Sequence, residues 1–432
     1  MSIRLARLLG IVSILLAAFL LAPVDASAET EWVTQTGDVL QIALPVIGGL
    51  STFFTNPDPD ARWDREGTRQ FALSYGSAWG TTYTLKIIAS KARPNGDNRT
   101  SFPSGHTMSA FAGAAFIDSR YGKVVGIPAY ALAAFTGYSR VQSNWHYQDD
   151  VLAGASIGML YAWNFVSPQP GKLALLPTVS AGEIGMTAAI RPGRDGEPID
   201  PSQRGASYVF GFGPAYAINN VAASRGDGGN EFQLTDLEGN NDPTTTAVVT
   251  VGFPVSRRGR VAVNYGPFEA RDRGRFGYDV EFGGQTFAAG TPVDSAWRYY
   301  DLFASYEHAL LRDGRWQLGL GAGVGIMYSY TALQSQENPE LGAIVDDTAF
   351  YPYGIVSAGH YFTDRFGIDA RAAGTSIGDN WLYTFTGDLA WRAAQSWDFR
   401  LGYSYFGRQI DSDSYYNKTR YGIPQLAVTR YW

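Results

Sequence analysis

The spacing of the apolar residues changes near residue 205, and this change constrains the fold more than any other feature of the chain. In residues 316–330 the even positions are apolar or aromatic, whereas the odd positions hold Gln, Gly, Met and Ser. The segments 381–391 and 397–405 alternate in the same way. A period of two is typical of β-strands with two different faces. The C-terminal part of the chain is therefore predicted to be β-structure.

An outer-membrane barrel explains this pattern better than a soluble β-sandwich, whose outward face would be charged. Membrane barrels turn an apolar face to lipid and a polar or glycine-rich face to the lumen. Short turns, as at 256–259, alternate with longer loops, as at about 331–347, and the chain ends on the aromatic Trp432. We expect ten antiparallel strands between about 207 and 432, and twelve if residues 173–191 add two more.

The segment from about residue 38 to residue 166 is predicted to be a compact all-α bundle. Its apolar residues form five helix-like blocks rich in Ala, Gly and Ser, and none has the ~18 consecutive apolar residues of a membrane span. The blocks are 39–54, 71–88, 107–117, 124–135 and 151–166. The predicted fold is thus an N-terminal all-α helical bundle followed by a 10–12-stranded antiparallel transmembrane β-barrel.

The first 28 residues have the features of a secretory signal peptide. Arg4 and Arg7 precede an apolar run over 8–22, and Ala26-Ser27-Ala28 fits a signal-peptidase site. The alternative is an uncleaved membrane anchor, but the run is shorter than the ~20 residues of a span. The predicted domains are a signal peptide at 1–28, a helical domain at 29–166, a linker or extra hairpin at 167–205 and the barrel at 206–432.

Composition excludes several classes of function. The 432-residue chain has no cysteine, so it has no disulfide framework, thiolate zinc site or cysteine nucleophile. Its formal net charge is −6, which is not the basic footprint of a nucleic-acid-binding protein.

Three polar clusters between residues 86 and 150 have the residue types of a phosphate site. They are Lys86-x6-Arg93-Pro94, Pro103-Ser104-Gly105-His106 and Ser139-Arg140-x5-His146-x3-Asp150. Guanidinium groups match phosphate oxygens and a lysine adds a point charge, so Lys86, Arg93 and Arg140 are candidate phosphate ligands. Ser104 and Gly105 precede a predicted helix, whose first N–H groups can bind an anion.

The two histidines fit phosphoryl transfer. His146 and Asp150 lie four residues apart on one helix face, so Asp150 can hold one imidazole nitrogen while the other attacks phosphorus. His106 can then protonate the leaving oxygen. Taken singly, these residues have plainer explanations as surface charges or a helix cap. Metal binding by the histidines is opposed by the three cations, and the sequence has no further ligand cluster of the right kind.

In order and spacing, the three clusters resemble the signature of the type 2 phosphatidic-acid phosphatase and vanadium-haloperoxidase superfamily. The resemblance covers about residues 70–165. One departure is that only eight residues separate Pro94 from Pro103, fewer than is usual in the family. The resemblance implies an α-helical, metal-independent phosphatase that needs no cofactor.

The resemblance also implies a role for each residue of the signature. The resemblance implies that His146 becomes a phosphohistidine, that Asp150 orients it and that His106 protonates the leaving group. The residues implied in binding the phosphoryl oxygens are Lys86, Arg93, Ser104, Gly105 and Arg140.

Combining the two halves predicts a location. A chain that ends in an outer-membrane barrel cannot also cross the inner membrane several times, so we expect the outer membrane of a Gram-negative bacterium, with the phosphatase domain in the periplasm. The expected partners are a phosphorylated lipid or small phosphomonoester substrate and outer-membrane lipid, not nucleic acid.

Three alternatives stay open on the sequence alone. A vanadate-dependent haloperoxidase would share the motif residues. A pore or structural barrel would carry the helical domain as an accessory. An inner-membrane lipid phosphatase would have a soluble β-tail.

Overall fold

The structure of the protein, a computed structural model, has two compact units that divide near residue 198. It describes residues 31–55, 61–167, 173–180, 183–190, 205–237, 243–312, 315–394 and 396–432. The predicted signal peptide lies outside the described residues.

The described part of the N-terminal unit has five α-helices between residues 31 and 165, which overlap the five predicted blocks and confirm the all-α prediction for the helical domain. They are α1 (Glu31–Phe54), α2 (Arg65–Ala89), α3 (Gly105–Tyr121), α4 (Lys123–Gln142) and α5 (Gln148–Phe165). Polar side chains set two of the starts. Asp64 accepts a hydrogen bond of 2.8 Å from the N–H of Gly67 at α2, and Ser104 caps α3. Gly122, with φ of 96°, separates α3 from α4.

Helices α3 and α5 form the centre of this unit. Every residue from 107 to 118 in α3 is buried, and so is every residue from 152 to 160 in α5. The two helices approach closely at Gly154, because a Cβ there would overlap the carbonyl oxygen of Ser104. This contact positions the start of α3, which the sequence analysis assigned to the phosphate site.

The outer helices expose apolar surface. The exposed side chains include Val39, Ile42, Ile47, Leu50 and Phe54 of α1, Trp79, Tyr83, Ile87 and Ile88 of α2, and Val124, Val125 and Ile127 of α4. Among the described helices, α1 alone is long and apolar enough to cross a membrane, a property that core helices and signal sequences share. Counting consecutive apolar residues did not identify it, because Gln41 interrupts the run.

Two short strands pair within the described segments 173–180 and 183–190. They are β1 (Leu173–Ser180) and β2 (Glu183–Ile190), which pair antiparallel in a two-stranded sheet of their own. In the described residues neither strand joins the barrel sheet, so of the two predicted strand numbers the lower, ten, is the one observed.

The described part of the C-terminal unit is a closed antiparallel barrel of ten strands. The barrel strands are β3 (Ser207–Ser224), β5 (Thr244–Pro254), β6 (Gly259–Arg275), β9 (Pro292–Arg312), β10 (Trp316–Ser335), β11 (Gly342–Tyr361), β12 (Phe366–Ile377), β13 (Asn380–Ala394), β14 (Trp397–Asp411) and β15 (Tyr415–Tyr431). Each pairs with the next in chain order, and β15 closes the barrel by pairing with β3. The predicted transmembrane-type barrel topology is therefore present.

Three short strands lie within the connections between barrel strands. The first, β4 (Phe232–Gln233), pairs with β3. The other two, β7 (Val280–Phe282) and β8 (Gln285–Phe287), form a separate hairpin.

The two faces of the strands follow the predicted alternation. On β10, Trp316, Leu318 and Leu320 are exposed on the outside. Gln317 and Gly319, which lie between them, are half-buried, and Gly321 on the same face pairs in register with Glu307. The predicted loop at 331–347 was too long: β10 continues to residue 335 and β11 begins at 342, so most of this segment is strand.

Aromatic side chains fill the lumen at the end that carries the longer connections. We call this set the aromatic plug, and its principal members are Phe232, Phe276, Phe282, Phe287, Trp297, Tyr299, Leu333 and Tyr421. Next to it, the buried Arg408 donates to Asp301 at 2.9 Å and to Ser329 at 2.7 Å, and it lies 3.6 Å from the centre of the Tyr299 ring. At this end the lumen is therefore packed with side chains.

Candidate active site

The predicted site residues lie where the ends of four helices meet. Lys86 is in the last turn of α2, and Arg140 is in the last turn of α4. The remaining residues lie in the α2–α3 loop, at the start of α3 and around the start of α5; they are Arg93, Ser104, Gly105, His106, His146 and Asp150.

His146 and Asp150 face each other at the start of α5. Both are buried, with 2% and 0% of their surface exposed. The Nδ1 atom of His146 is 3.6 Å from Oδ2 of Asp150, which is an ion-pair distance and longer than a hydrogen bond. The N–H groups of Trp145 and His146 both donate to the carbonyl of Arg140, at 3.0 and 3.1 Å. Because Nδ1 faces the carboxylate, Nε2 is the nitrogen left to meet a substrate.

Asp150 is held in place by groups from three directions. Its Oδ2 accepts hydrogen bonds from the Ser101 hydroxyl and, at 2.9 Å, from the N–H of Tyr147. Its Oδ1 is 3.1 Å from Nζ of Lys91. Burial raises the pKa of Asp150, but Lys91 and His146 outweigh this effect and hold the pKa well below its usual range. Asp150 is therefore a fixed carboxylate at neutral pH.

Lys86 and Arg93 bring positive charge to the same place. Lys86 donates to the carbonyl of Thr100 at 2.6 Å. Arg93 donates to the side-chain oxygen of Asn98 at 2.9 Å and lies 5.0 Å from the centre of the Trp145 ring. Burial, followed by the charge of Arg93, lowers the pKa of Lys86 to about 8. The α2–α3 loop, although short, thus orients Arg93 toward the residue that precedes His146.

Ser104 and Gly105 form the N-terminus of α3. The buried Ser104 hydroxyl accepts a hydrogen bond from the Thr107 hydroxyl at 3.0 Å, and the Ser104 N–H donates to the carbonyl of Asp150 at 2.9 Å. Gly105 lies beside Lys86, since a Cβ there would be 3.7 Å from Cε of that lysine. Ser104 is thus the N-cap of α3, and its contact with phosphoryl oxygens stays a prediction.

His106 and Arg140 share a carboxylate from outside the three clusters. One oxygen of Asp38, on α1, is 3.3 Å from Nε2 of His106 and 2.8 Å from Nη1 of Arg140. Burial, followed by the charges of Arg140 and His146, lowers the pKa of His106 to about 4. The His106 imidazole is therefore neutral at pH 7 in the resting protein.

The eight predicted residues thus surround one site. His106 and His146 interact electrostatically, and both respond to the charge of Arg93. Burial lowers the pKa of His146, with Asp150 acting in the opposite direction. Three cations, a helix N-terminus and two neutral imidazoles are an arrangement that can bind a phosphoryl dianion and attack it.

Several neighbours of the site were not predicted; they are Asp38, Lys91, Asn98, Ser101 and Asp149. Asp149 directly precedes Asp150 but matches no position of the signature. The structure places it 2.6 Å from Nζ of Lys91, far away in the sequence. A single sequence gives no signal for such a pairing, since nothing in it relates the two positions.

Among the residues that the structure describes, no group of three or more His, Asp or Glu side chains is placed to hold a metal ion.

Comparison with known families decides the classification of the helical unit. The PAP2 superfamily matches residues 39–172, a segment that contains every predicted site residue. Residues 39–172 are a PAP2 superfamily domain. This PAP2 domain includes most of α1 and all of α2 to α5.

The PAP2 domain is similar to parts of two proteins named as lipid phosphatases. Lipid A 1-phosphatase of Porphyromonas gingivalis is 38% identical over 92 residues, which are 21% of this chain and 21% of that protein. Lipid phosphate phosphatase 1 of Arabidopsis thaliana is 41% identical over 92 residues, which are 18% of this chain and 28% of the relative. The similarity thus spans less than a third of either relative.

The barrel has a weaker likeness to solved structures. The outer membrane protease OmpT of Escherichia coli is 7% identical, covers 53% of this chain and 97% of its own, and gives a TM-score of 0.38. The architecture of the barrel therefore stands on its own strand pairing.

Proposed function

We propose that the PAP2 domain is a metal-independent phosphatase that hydrolyses phosphomonoesters through a phosphohistidine intermediate. The observation that carries this proposal is the convergence of both histidines, the buried Asp150 and three cations on one site. Phosphoryl transfer needs mostly positioning and neutralisation of charge, and these residue types supply both.

The reaction has two displacements. In the first, Nε2 of His146 attacks phosphorus, the bond to the leaving oxygen breaks, and His106 gives that oxygen a proton. In the second, water attacks the phosphorus of the phosphohistidine, the bond between phosphorus and Nε2 breaks, and His106 takes a proton from the water. Inorganic phosphate leaves, and the neutral imidazole of His146 is restored. Asp150 stabilises the cationic imidazole between the two steps, and Lys86, Arg93 and Arg140 neutralise the phosphoryl oxygens.

His106 must carry a proton for the first displacement, although its pKa in the resting site is about 4. The causes of the low pKa are burial and the positive charge of Arg140, along with His146. A bound phosphoryl dianion places negative charge at this position, which raises the pKa of a neighbouring imidazole. Substrate binding itself therefore supplies the protonated acid.

Lipid phosphates are the substrate class we propose. The named relatives are lipid phosphatases, and α1, α2 and α4 expose apolar side chains of the kind that contact a lipid surface. A barrel with an apolar outer face would keep the PAP2 domain at the outer membrane, on its periplasmic side, within reach of phosphorylated lipids.

The barrel is proposed to be an anchor and not a pore. The aromatic plug and the buried Arg408–Asp301 pair occupy the lumen at one end, and a conducting barrel needs a continuous water-filled lumen. This observation favours the anchored phosphatase over the alternative of a transport barrel with an accessory domain.

The test is phosphate release by the full-length protein in outer-membrane fractions and in detergent. Lipid phosphates and soluble phosphomonoesters are supplied without divalent metal to wild type and to His146→Ala. We expect release by wild type and a loss of at least about 10³-fold in the variant. Vanadate should inhibit as a phosphate analogue. Equal rates for wild type and His146→Ala would refute the proposal, and vanadate-dependent halide oxidation would replace it with the haloperoxidase.

A further inference from the structure

Lys91 and Asp149 form a buried ion pair behind the proposed nucleophile. Lys91 is 6% exposed and Asp149 is 1% exposed. The Nζ atom of Lys91 lies 2.6 Å from Oδ2 of Asp149 and 3.1 Å from Oδ1 of Asp150, and 4.5 Å from the centre of the Tyr147 ring. One buried cation thus bridges two carboxylates that are adjacent in the chain.

The charges of Lys91, Asp149, Asp150 and His146 sum to zero in the phosphohistidine intermediate but not before His146 has reacted. Lys91 contributes one positive charge, and Asp149 and Asp150 contribute one negative charge each. With a neutral His146, these four residues therefore carry a net charge of −1, and Asp150 also interacts electrostatically with Lys86 and Arg93. When the imidazole attacks phosphorus it becomes cationic, and the net charge of the four residues is then zero. Because net charge is costly inside a protein, the arrangement favours the cationic imidazole.

We propose that Lys91 and Asp149 are positioning residues that hold Asp150 without neutralising it. Lys91 fixes Oδ1 of Asp150, and Asp149 balances the charge of Lys91. Asp150 then presents a full negative charge to His146. This inference rests on the proposed phosphohistidine function, and it assigns a role to two residues that lie outside the signature motif.

Each member of the pair needs the other. Without Lys91, two adjacent buried carboxylates would repel, and a proton would bind between them. Without Asp149, Lys91 would pair with Asp150 alone and cancel its charge. Burial disfavours the charged form of Lys91, but Asp149 and Asp150 outweigh this effect and raise its pKa, so the ammonium is charged throughout the physiological range.

Other charged groups also act on His146, and they are the same in every variant of the test. They are Lys86 from α2, Arg93 from the α2–α3 loop, His106 from α3 and Asp150 from α5. A difference in the titration of His146 among variants therefore comes from Lys91 and Asp149.

The experiment compares Lys91→Met, Asp149→Asn and the double variant in the full-length protein, with p-nitrophenyl phosphate as the probe. Each single change should lower kcat on the order of 10²-fold, the effect of losing one preorganised charge. The double change removes one charge of each sign and restores the balance. Its kcat should recover to within about tenfold of wild type, a coupling typical of residues in direct contact.

The pH profile separates this role from a merely structural one. The acid limb of kcat/KM reports protonation at the nucleophile. In Lys91→Met it should move to higher pH, because the imidazole and the carboxyl pair both hold protons more tightly. In Asp149→Asn it should move to lower pH, because Lys91 then offsets Asp150. The double variant should return close to the wild-type profile.

A matched control is the exposed pair Glu66 and Arg69 on α2, whose charged atoms are 2.8 Å apart. The variant with Glu66→Gln and Arg69→Met removes the same two charges from the surface. It should leave kcat and the pH profile unchanged, because exposed pairs contribute little.

Three outcomes would overturn the inference. The first is a double variant no more active than the weaker single variant, and the second is a double variant that does not fold. The third is an acid limb of kcat/KM that moves in the same direction in Lys91→Met and in Asp149→Asn. If the single variants fail to fold, the kcat of the double variant still tests the inference, because the double variant leaves no unpaired charge and should fold. These outcomes differ from those that would refute the proposed phosphatase function. In that case wild type would release no phosphate, or His146→Ala would release it as fast as wild type.

Discussion

Among the groups that bind the phosphoryl oxygens in our proposal, Lys86 is the one whose charge changes near neutral pH. Its pKa of about 8 means that the ammonium is charged below about pH 8 and neutral above it. The kcat/KM of wild type should therefore fall by about tenfold from pH 8 to about pH 9.3, because the charged fraction of Lys86 falls by that factor. Lys86→Arg keeps its charge at these pH values and should lose this alkaline limb. An alkaline limb that persists in Lys86→Arg would contradict the role of Lys86.

At the scale of residues, the sequence indicated which side chains gather at the site better than it indicated the groups that hold them in place. The signature residues could be selected because their types suit a phosphate site and their spacing resembles the family signature. Asp38, Lys91 and Asn98 could not, because each acts through a contact that only the packing of α1 or the path of the α2–α3 loop creates. Ser104 is a further case: the sequence predicted a phosphate ligand, and in the structure its side chain caps α3.

At the scale of elements, the contact of α3 with α5 fixes the site. Gly154→Ala would push its Cβ into the Ser104 carbonyl oxygen, at the residue that begins the phosphate-binding end of α3. We expect this variant to lose about 1–3 kcal/mol of stability, by overpacking, and to lose activity as well. Thermal unfolding and phosphate release on the same samples measure both effects.

The control for that prediction is Gly76→Ala on α2. Gly76 is exposed, and nothing lies within 4 Å of the Cβ position. Alanine should stabilise the helix here by up to about 1 kcal/mol and leave activity intact. If Gly154→Ala proves as harmless as Gly76→Ala, the close approach of α3 and α5 does not position the site.

Periodicity predicted where the helices and strands lie better than where they end. The five apolar blocks fell on five helices, but α1 begins at Glu31, eight residues before the apolar block that predicted it. The segment 331–347 looked like a loop because of its Gln, Asn, Pro and Asp residues. It is mostly strand because residues such as Thr331 and Leu333 face the packed lumen, where pairing and burial override composition.

At the scale of the whole molecule, the change of period near residue 205 was enough to predict two different units, and the alternation that follows it predicted a barrel of ten to twelve strands. The aromatic plug was beyond sequence reasoning. Its members come from two connections and several strands, and only closure of the barrel brings them together.

The plug leads to a prediction about conductance. The full-length protein in planar lipid bilayers should show no stable ohmic channels, because side chains occupy the lumen. A general porin, measured in the same bilayers, is the positive control for insertion and detection. Reproducible conductance steps at low voltage would contradict the assignment of the barrel as an anchor.

The most direct test of the central claim is to trap the phosphorylated enzyme. Wild-type protein is mixed with a phosphomonoester carrying radioactive phosphate, quenched within milliseconds in alkali, which preserves phosphohistidine, and mapped by mass spectrometry. The account predicts acid-labile label on His146 alone, and none in His146→Ala. Turnover without any labelled enzyme, or label on another residue, would contradict it.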